Sequence, residues 1–167
     1  AQWSECNVWS DLEWSLLQYA PHQQISQYLT DLNYIYHREP ALYTQDFEEA
    51  GFEWIDCNDS RHSVVSFIRR AKDSDECIIV VCNFTPQPHA HYRIGVPEHG
   101  FYTELFNSDA RKYGGSNMGN LGGKWADEWS IHNRKFSLDL CIPPLGVLML
   151  KIDRERTLAA YQWRDEK

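Results

Sequence analysis

Hydrolytic and transfer chemistry requires carboxylates, imidazoles or activated hydroxyls that converge on one reacting atom, and few residues here are spaced to do so. A retaining glycosidase sets two carboxyl groups about 5 to 5.5 Å apart across a cleft. The candidate acid pairs, Glu48 with Glu49 and Asp127 with Glu128, are sequence neighbours in polar stretches, where solvated charge is their ordinary role. His89 and His91 stand two apart, so an unbroken strand would aim both imidazoles to one side. No cysteine or acid follows them at ligand spacing, and no metal site is expected. The stretch 114–123 holds five of the nine glycines, yet it contains neither a G-K-[ST] end nor a G-x-G-x-x-G, so it reads as a loop needing positive φ rather than a phosphate cradle. No serine lies in a G-x-S-x-G elbow. The sequons at Asn58 and Asn83 would be silent in a reducing compartment. Two tryptophans remain: Trp125 and Trp129 flank acidic residues just after the glycine-rich stretch, and flat rings can stack on the C–H faces of a sugar. Core filling is the competing role for such rings.

The elements that would carry these residues fall into two textures. Over 21–38, Ile25, Tyr28, Leu29, Leu32, Ile35 and Tyr36 recur at three- and four-residue steps, which predicts an amphipathic helix with Pro21 in its first turn and Pro40 past its end. One or two helical turns are expected over 11–17. From Phe52 onward the period is two and turn residues are frequent, predicting strands over 52–56, 63–70, 77–84, 91–96, 102–107, 135–142 and 147–152. The run Cys77-Ile78-Ile79-Val80-Val81-Cys82 does not alternate, as expected of a strand covered on both faces. Seven short strands separated by turns predict a mainly β protein, an antiparallel β-sandwich preceded by an α-helical segment. Residues 153–167 are polar enough to form a tail.

Composition bounds the partners. The 167 residues include seven Trp, nine Tyr and seven Phe, too many rings for a disordered chain. The formal charge of −8 comes without any basic cluster, so nucleic acid and anionic membranes are not expected as partners. The longest apolar run is about five residues, far below the ~20 of a membrane span. Five cysteines, odd in number and without a C-x-x-C, argue for free thiols and a cytoplasmic setting. With no initiator Met and no signal-like start, the chain reads as a piece of something longer.

A string of motifs gives a specific resemblance. Trp14-Ser15-Leu16-Leu17, Asp31-Leu32-Asn33, Gly51-Phe52-Glu53-Trp54-Ile55-Asp56, Val81-Cys82-Asn83-Phe84-Thr85-Pro86, Asn107-Ser108-Asp109, Tyr113-Gly114-Gly115-Ser116 and Pro143-Pro144-Leu145 resemble, in order and spacing, the C-terminal region of bacterial 1,4-α-glucan (glycogen) branching enzymes of the α-amylase superfamily. The resemblance spans about residues 2–152, with Cys6 where the family leads one to expect Trp and Ser15 where it leads one to expect His. It implies that residues 1–42 are the terminal loop and helices of a (β/α)8 catalytic barrel, and that 43–152 form the all-β C-terminal domain. It further implies that the parent enzyme breaks an α-1,4 linkage through a covalent glycosyl-enzyme and passes the chain to a 6-hydroxyl. The superfamily's catalytic residues lie on barrel strands, and this chain has neither an R-x-D nor a His-Asp dipeptide. The expectation is therefore a non-catalytic piece, without cofactor, whose partners are the barrel and an α-glucan such as glycogen or amylose. Its apolar helix stripe, left uncovered, would promote self-association. The alternatives are a glucan-binding β module using Trp125 and Trp129, or the same domain from another transglycosidase or hydrolase of the superfamily.

Overall fold

The computed structural model describes residues 8–165. A 3-10 turn, Trp14–Gln18, leads into helix α1, Ala20–Arg38, and the turn Pro40–Leu42 then delivers the chain to the strands. These are β1 (Phe52–Asp59), β2 (Val64–Arg70), β3 (Cys77–Asn83), β4 (His89–Val96), β5 (Phe101–Asn107), β6 (Gly123–Trp125), β7 (Phe136–Ile142) and β8 (Val147–Asp153), followed by helix α2, Arg154–Asp165. All pairings are antiparallel. One sheet runs β1-β2-β3-β8-β5-β6, and β4 with β7 form the second. A β-bridge from Asp127 to Ser137 ties the end of the first sheet to the second.

The inner faces meet in one apolar core. Alternation sets its members: Ile79 and Val81 from β3, Ile94 and Val96 from β4, Leu138, Leu140 and Ile142 from β7, and Leu148, Leu150 and Ile152 from β8. A second, smaller cluster lies on the outer face of β3 and β8, where Ile78 and Val80 meet Ala41 and Ala71 with Leu42, Phe67, Leu105 and Met149 around them. The non-alternating run in β3 is therefore buried on both sides. Each such side chain contributes about 1.5 to 3 kcal/mol by leaving water, so covering the outer face is a substantial share of the stability.

Two elements depart from the sequence expectation. Strand β6 is only three residues long, too short to display a period, and its Gly123 has φ 152° with the Tyr102 carbonyl 2.3 Å from where a Cβ would sit. The stretch expected as a polar tail is helical. Asp153 starts it as an N-cap, accepting from the Arg156 amide at 2.9 Å. Thr157, buried on the inner side, accepts from the Phe101 amide at 3.0 Å while Arg154 grips Glu98 with both terminal nitrogens. Arg156 lies 3.5 Å over the Phe101 ring. Polarity hid these anchors because each is a polar contact, not an apolar stripe.

At the β1–β4 side the sheets are joined by Asp59. Its carboxylate accepts from the Tyr92 hydroxyl at 2.7 Å, lies 2.7 Å from His62 Nδ1 and accepts from the His62 amide at 3.1 Å. Burial alone would raise the Asp59 carboxyl pKa, but the bonds from Tyr92 and His62 outweigh it and hold it below its ordinary value. Burial and the same bond push the Tyr92 hydroxyl upward. Replacing Asp59 with Ala leaves a half-buried hydroxyl unpaired and is expected to cost about 1 to 3 kcal/mol, read as a lower denaturant midpoint. Because the folded-state pKa is the lower one, this contribution is complete above the unfolded value of about 3.9 and is lost as pH falls through the folded value. The gap between the unsubstituted chain and Asp59→Ala should narrow in that acid range.

Candidate functional site

The glycine-rich segment between β5 and β6 is held by two acids of its own. Asp109 accepts from the Ser116 amide at 2.9 Å, the Met118 amide at 3.0 Å and the Ser116 hydroxyl. Glu104 accepts from the Asn120 amide at 3.1 Å, the Asn120 side chain at 2.9 Å and Asn107 at 3.2 Å. Asn120, itself buried, also bonds both backbone groups of Cys141 in β7. Amides that a phosphate loop would aim at a ligand are spent here on the protein's own carboxylates. Gly115 is required by proximity, since a Cβ there would lie 2.2 Å from the Asp109 carbonyl oxygen.

The other candidate residues are dispersed. A bulge between His89 and Tyr92 breaks the alternation of β4, so the two imidazoles part. His89 turns toward His62 and Tyr92, with ring centroids at 5.2 and 5.7 Å, while His91 stays outside, 3.0 Å from Asp139. Among the described residues no cluster of three His, Cys, Asp or Glu side chains is placed to hold a metal ion. Glu48 and Glu49 are exposed, Glu48 lying 3.8 Å from Lys72, and Asp127 accepts from Arg93 at 2.8 Å. Neither acid pair faces a cleft partner. Cys57, Cys77, Cys82 and Cys141 are free thiols, and burial pushes Cys77 and Cys82 up, away from thiolate chemistry. Cys6 lies outside the described residues.

Trp125 and Trp129 are held separately. Trp125, 38% exposed, ends β6 edge-on to Phe101 at 5.6 Å and tilted to His99 at 6.3 Å, in a ring cluster that α2 joins through Tyr161 stacked on His99. Trp129, 62% exposed, lies beneath the Arg93 guanidinium, 5.3 Å from its ring centre.

An apolar surface is left open on α1 and the turn before it. The helix has no fully buried residue. Gln24, Tyr28, Asp31, Leu32 and Ile35, spaced for one face, are half-buried toward the strands, whereas Ile25 and Leu29 on the neighbouring strip are 45% and 52% exposed. With Leu12, Trp14, Leu16 and Leu17 they line a groove of about 300 Å³. A second groove, about 410 Å³, runs between α1 and the segment after β5, lined by Tyr34, Ile35, Arg38, Leu105, Lys112 and Tyr113. No helix among the described residues is long and apolar enough to cross a membrane.

Comparison with known proteins places this architecture. Over 159 residues the chain is 74% identical to the 1,4-alpha-glucan branching enzyme GlgB of Thermosynechococcus vestitus and 72% identical to that of Nostoc sp., covering 95% of this chain and 21% of each relative. The Synechocystis sp. GlgB is 69% identical over 164 residues, with 96% and 21% covered. The chain thus spans about a fifth of the length of the curated relatives it matches. Among solved structures, an alpha-amylase from H.orenii aligns with 91% of this chain and 27% of its own at 20% identity and a TM-score of 0.46. Residues 54–153, from within β1 to the end of β8, match the family model described as the alpha amylase C-terminal all-beta domain. The match takes in both sheets and the glycine-rich segment between them, and the chain belongs to the alpha-amylase C-terminal all-beta domain family.

Proposed function

We propose that this chain is the C-terminal portion of a cytoplasmic 1,4-alpha-glucan branching enzyme and serves it as a non-catalytic domain that seats against the catalytic barrel. The observation that carries this reading is the open strip of α1, Ile25 and Leu29, continuous with Leu12, Trp14 and Leu17: apolar surface of this kind, left in water by the rest of the fold, calls for a covering neighbour. The 69 to 74% identity to GlgB proteins supports a barrel as that neighbour. In the parent enzyme an α-1,4-glucan segment would be cleaved, held on the barrel and passed to a 6-hydroxyl to make an α-1,6 branch. The dispersed acids of this chain give it no part in bond breaking, and the free thiols suit a reducing cytoplasm.

An accessory contact with glycogen or amylose is the lesser part of the proposal. Trp129 supports it better than Trp125, because Arg93 fixes the indole while most of the ring stays in water, whereas Trp125 is engaged by Phe101 and His99.

Three outcomes follow. The isolated chain, incubated with amylose, should leave iodine-staining absorbance unchanged, and a decline would place catalysis within it. Leu29→Glu should act in opposite directions in two settings: in the full-length enzyme it should lower Tm by a few degrees and reduce branching activity, while in the isolated chain it should shift light scattering toward monomer. A full-length enzyme indifferent to Leu29→Glu would remove the docking role. In gels containing glycogen, retardation of the chain should fall in Trp129→Ala and change less in Trp125→Ala, and unretarded migration of the unsubstituted chain would leave the domain purely structural.

A further inference from the structure

Helix α1 is held to the sandwich by a small set of contacts that converge on one turn. Asp31 Oδ2 accepts from Lys112 Nζ at 2.7 Å and from the Tyr113 hydroxyl at 2.7 Å, while Oδ1 accepts from Gln27 at 2.6 Å within the helix. One turn earlier, Tyr28 meets Phe106 and Tyr113 edge-on, each at 5.3 Å. Gln24 packs on Gly114, where a Cβ would come within 2.7 Å of its Oε1. Every one of these partners except Phe106 belongs to the turn Arg111–Tyr113 or the glycine after it.

That turn is in turn rigidly tied to the loop it opens. The Arg111 amide donates to Asn117 Oδ1 at 3.2 Å, and the Asn117 amide to the Asp109 carbonyl at 2.8 Å. Asn107 carries the path on, donating to the Met118 carbonyl at 2.7 Å and to Glu104 at 3.2 Å, and Glu104 accepts in turn from Asn120, whose paired bonds reach Cys141 of β7. A continuous chain of polar contacts therefore runs from the middle of α1 to the second sheet, and its first link is Asp31.

We infer that Asp31 is a latch that makes α1 and the glycine-rich segment one mechanical unit, so that a displacement of the helix is felt at residues 109–120 and at β7. This goes beyond the docking reading and holds whatever covers the helix. Two discrete arrangements, latched and unlatched, would give the loop a conformational response to events on a helix that lies about eighty residues away in sequence.

Hydrogen exchange of the 167-residue chain tests this. Alanine is the best helix former, so Asp31→Ala cannot loosen α1 through intrinsic propensity. Loss of a charge-assisted contact is expected to speed exchange about tenfold both in peptides covering 25–36 and in peptides covering 109–120. Tyr113→Phe, which deletes one oxygen on the loop side, should move both regions in the same direction by a smaller factor. Faster exchange of the helix with an unchanged loop would overturn the latch, as would a Tyr113→Phe chain with an unaltered helix. Peptides covering 64–70 and 77–83, in strands outside this chain of contacts, serve as the reference. Should Asp31→Ala quicken those equally, it reports global destabilisation, and the milder Tyr113→Phe and Lys112→Met chains decide by the same criterion.

Discussion

The fold depends on one demand made by β3: an unbroken apolar strand must be covered twice. The inner cover is the β4–β7 sheet, whose Leu138, Leu140 and Ile94 meet Ile79 and Val81. The outer cover is assembled from pieces, the turn Pro40–Leu42 bringing Ala41, with Ala71 and the rings and chains around them. This second layer requires the chain to arrive from α1 across the back of the sheet. Helix α1 is thereby placed over the outer face, although none of its own residues is fully buried. Its position follows from what must be covered beneath it, and its open apolar strip follows from that position.

The site shows how a loop can be ordered without a ligand. The glycine-rich segment resembles an anion cradle only in composition. Its amides are taken by Asp109 and Glu104, carboxylates supplied by β5 and the turn after it, and its glycines allow the backbone to come within contact distance of those acids. Internal anions at these positions fix the loop's path and occupy the amides of Ser116, Met118 and Asn120.

The strands and the helix over 21–38 were legible because each is written in a period, and the doubly buried run because it lacks one. What could not be read came from contacts without one. Helix α2 is fastened by Asp153, Thr157, Arg154 and Arg156, four polar side chains whose partners are distant in sequence; the Asp153 cap was the single local signal available. Strand β6 has three residues and is defined by pairing with β5. Asp31 looks like any charge on a helix surface until Lys112 and Tyr113 arrive from about eighty residues away. Trp125 and Trp129 were identifiable only as rings that could stack on a sugar or fill a core, and their separate partners, Phe101 with His99 and Arg93, are matters of topology.

The bulge in β4 has a consequence for what the domain offers to metal ions. One extra residue in that strand sends His89 and His91 to opposite sides, His89 toward His62 and Tyr92 and His91 out to Asp139. Their spacing of two would aim both imidazoles to one side on a regular pleat. The extra residue that lets the strand brace two sheets thus keeps a ready-made pair of ligands apart, by a change of phase and not of residue type.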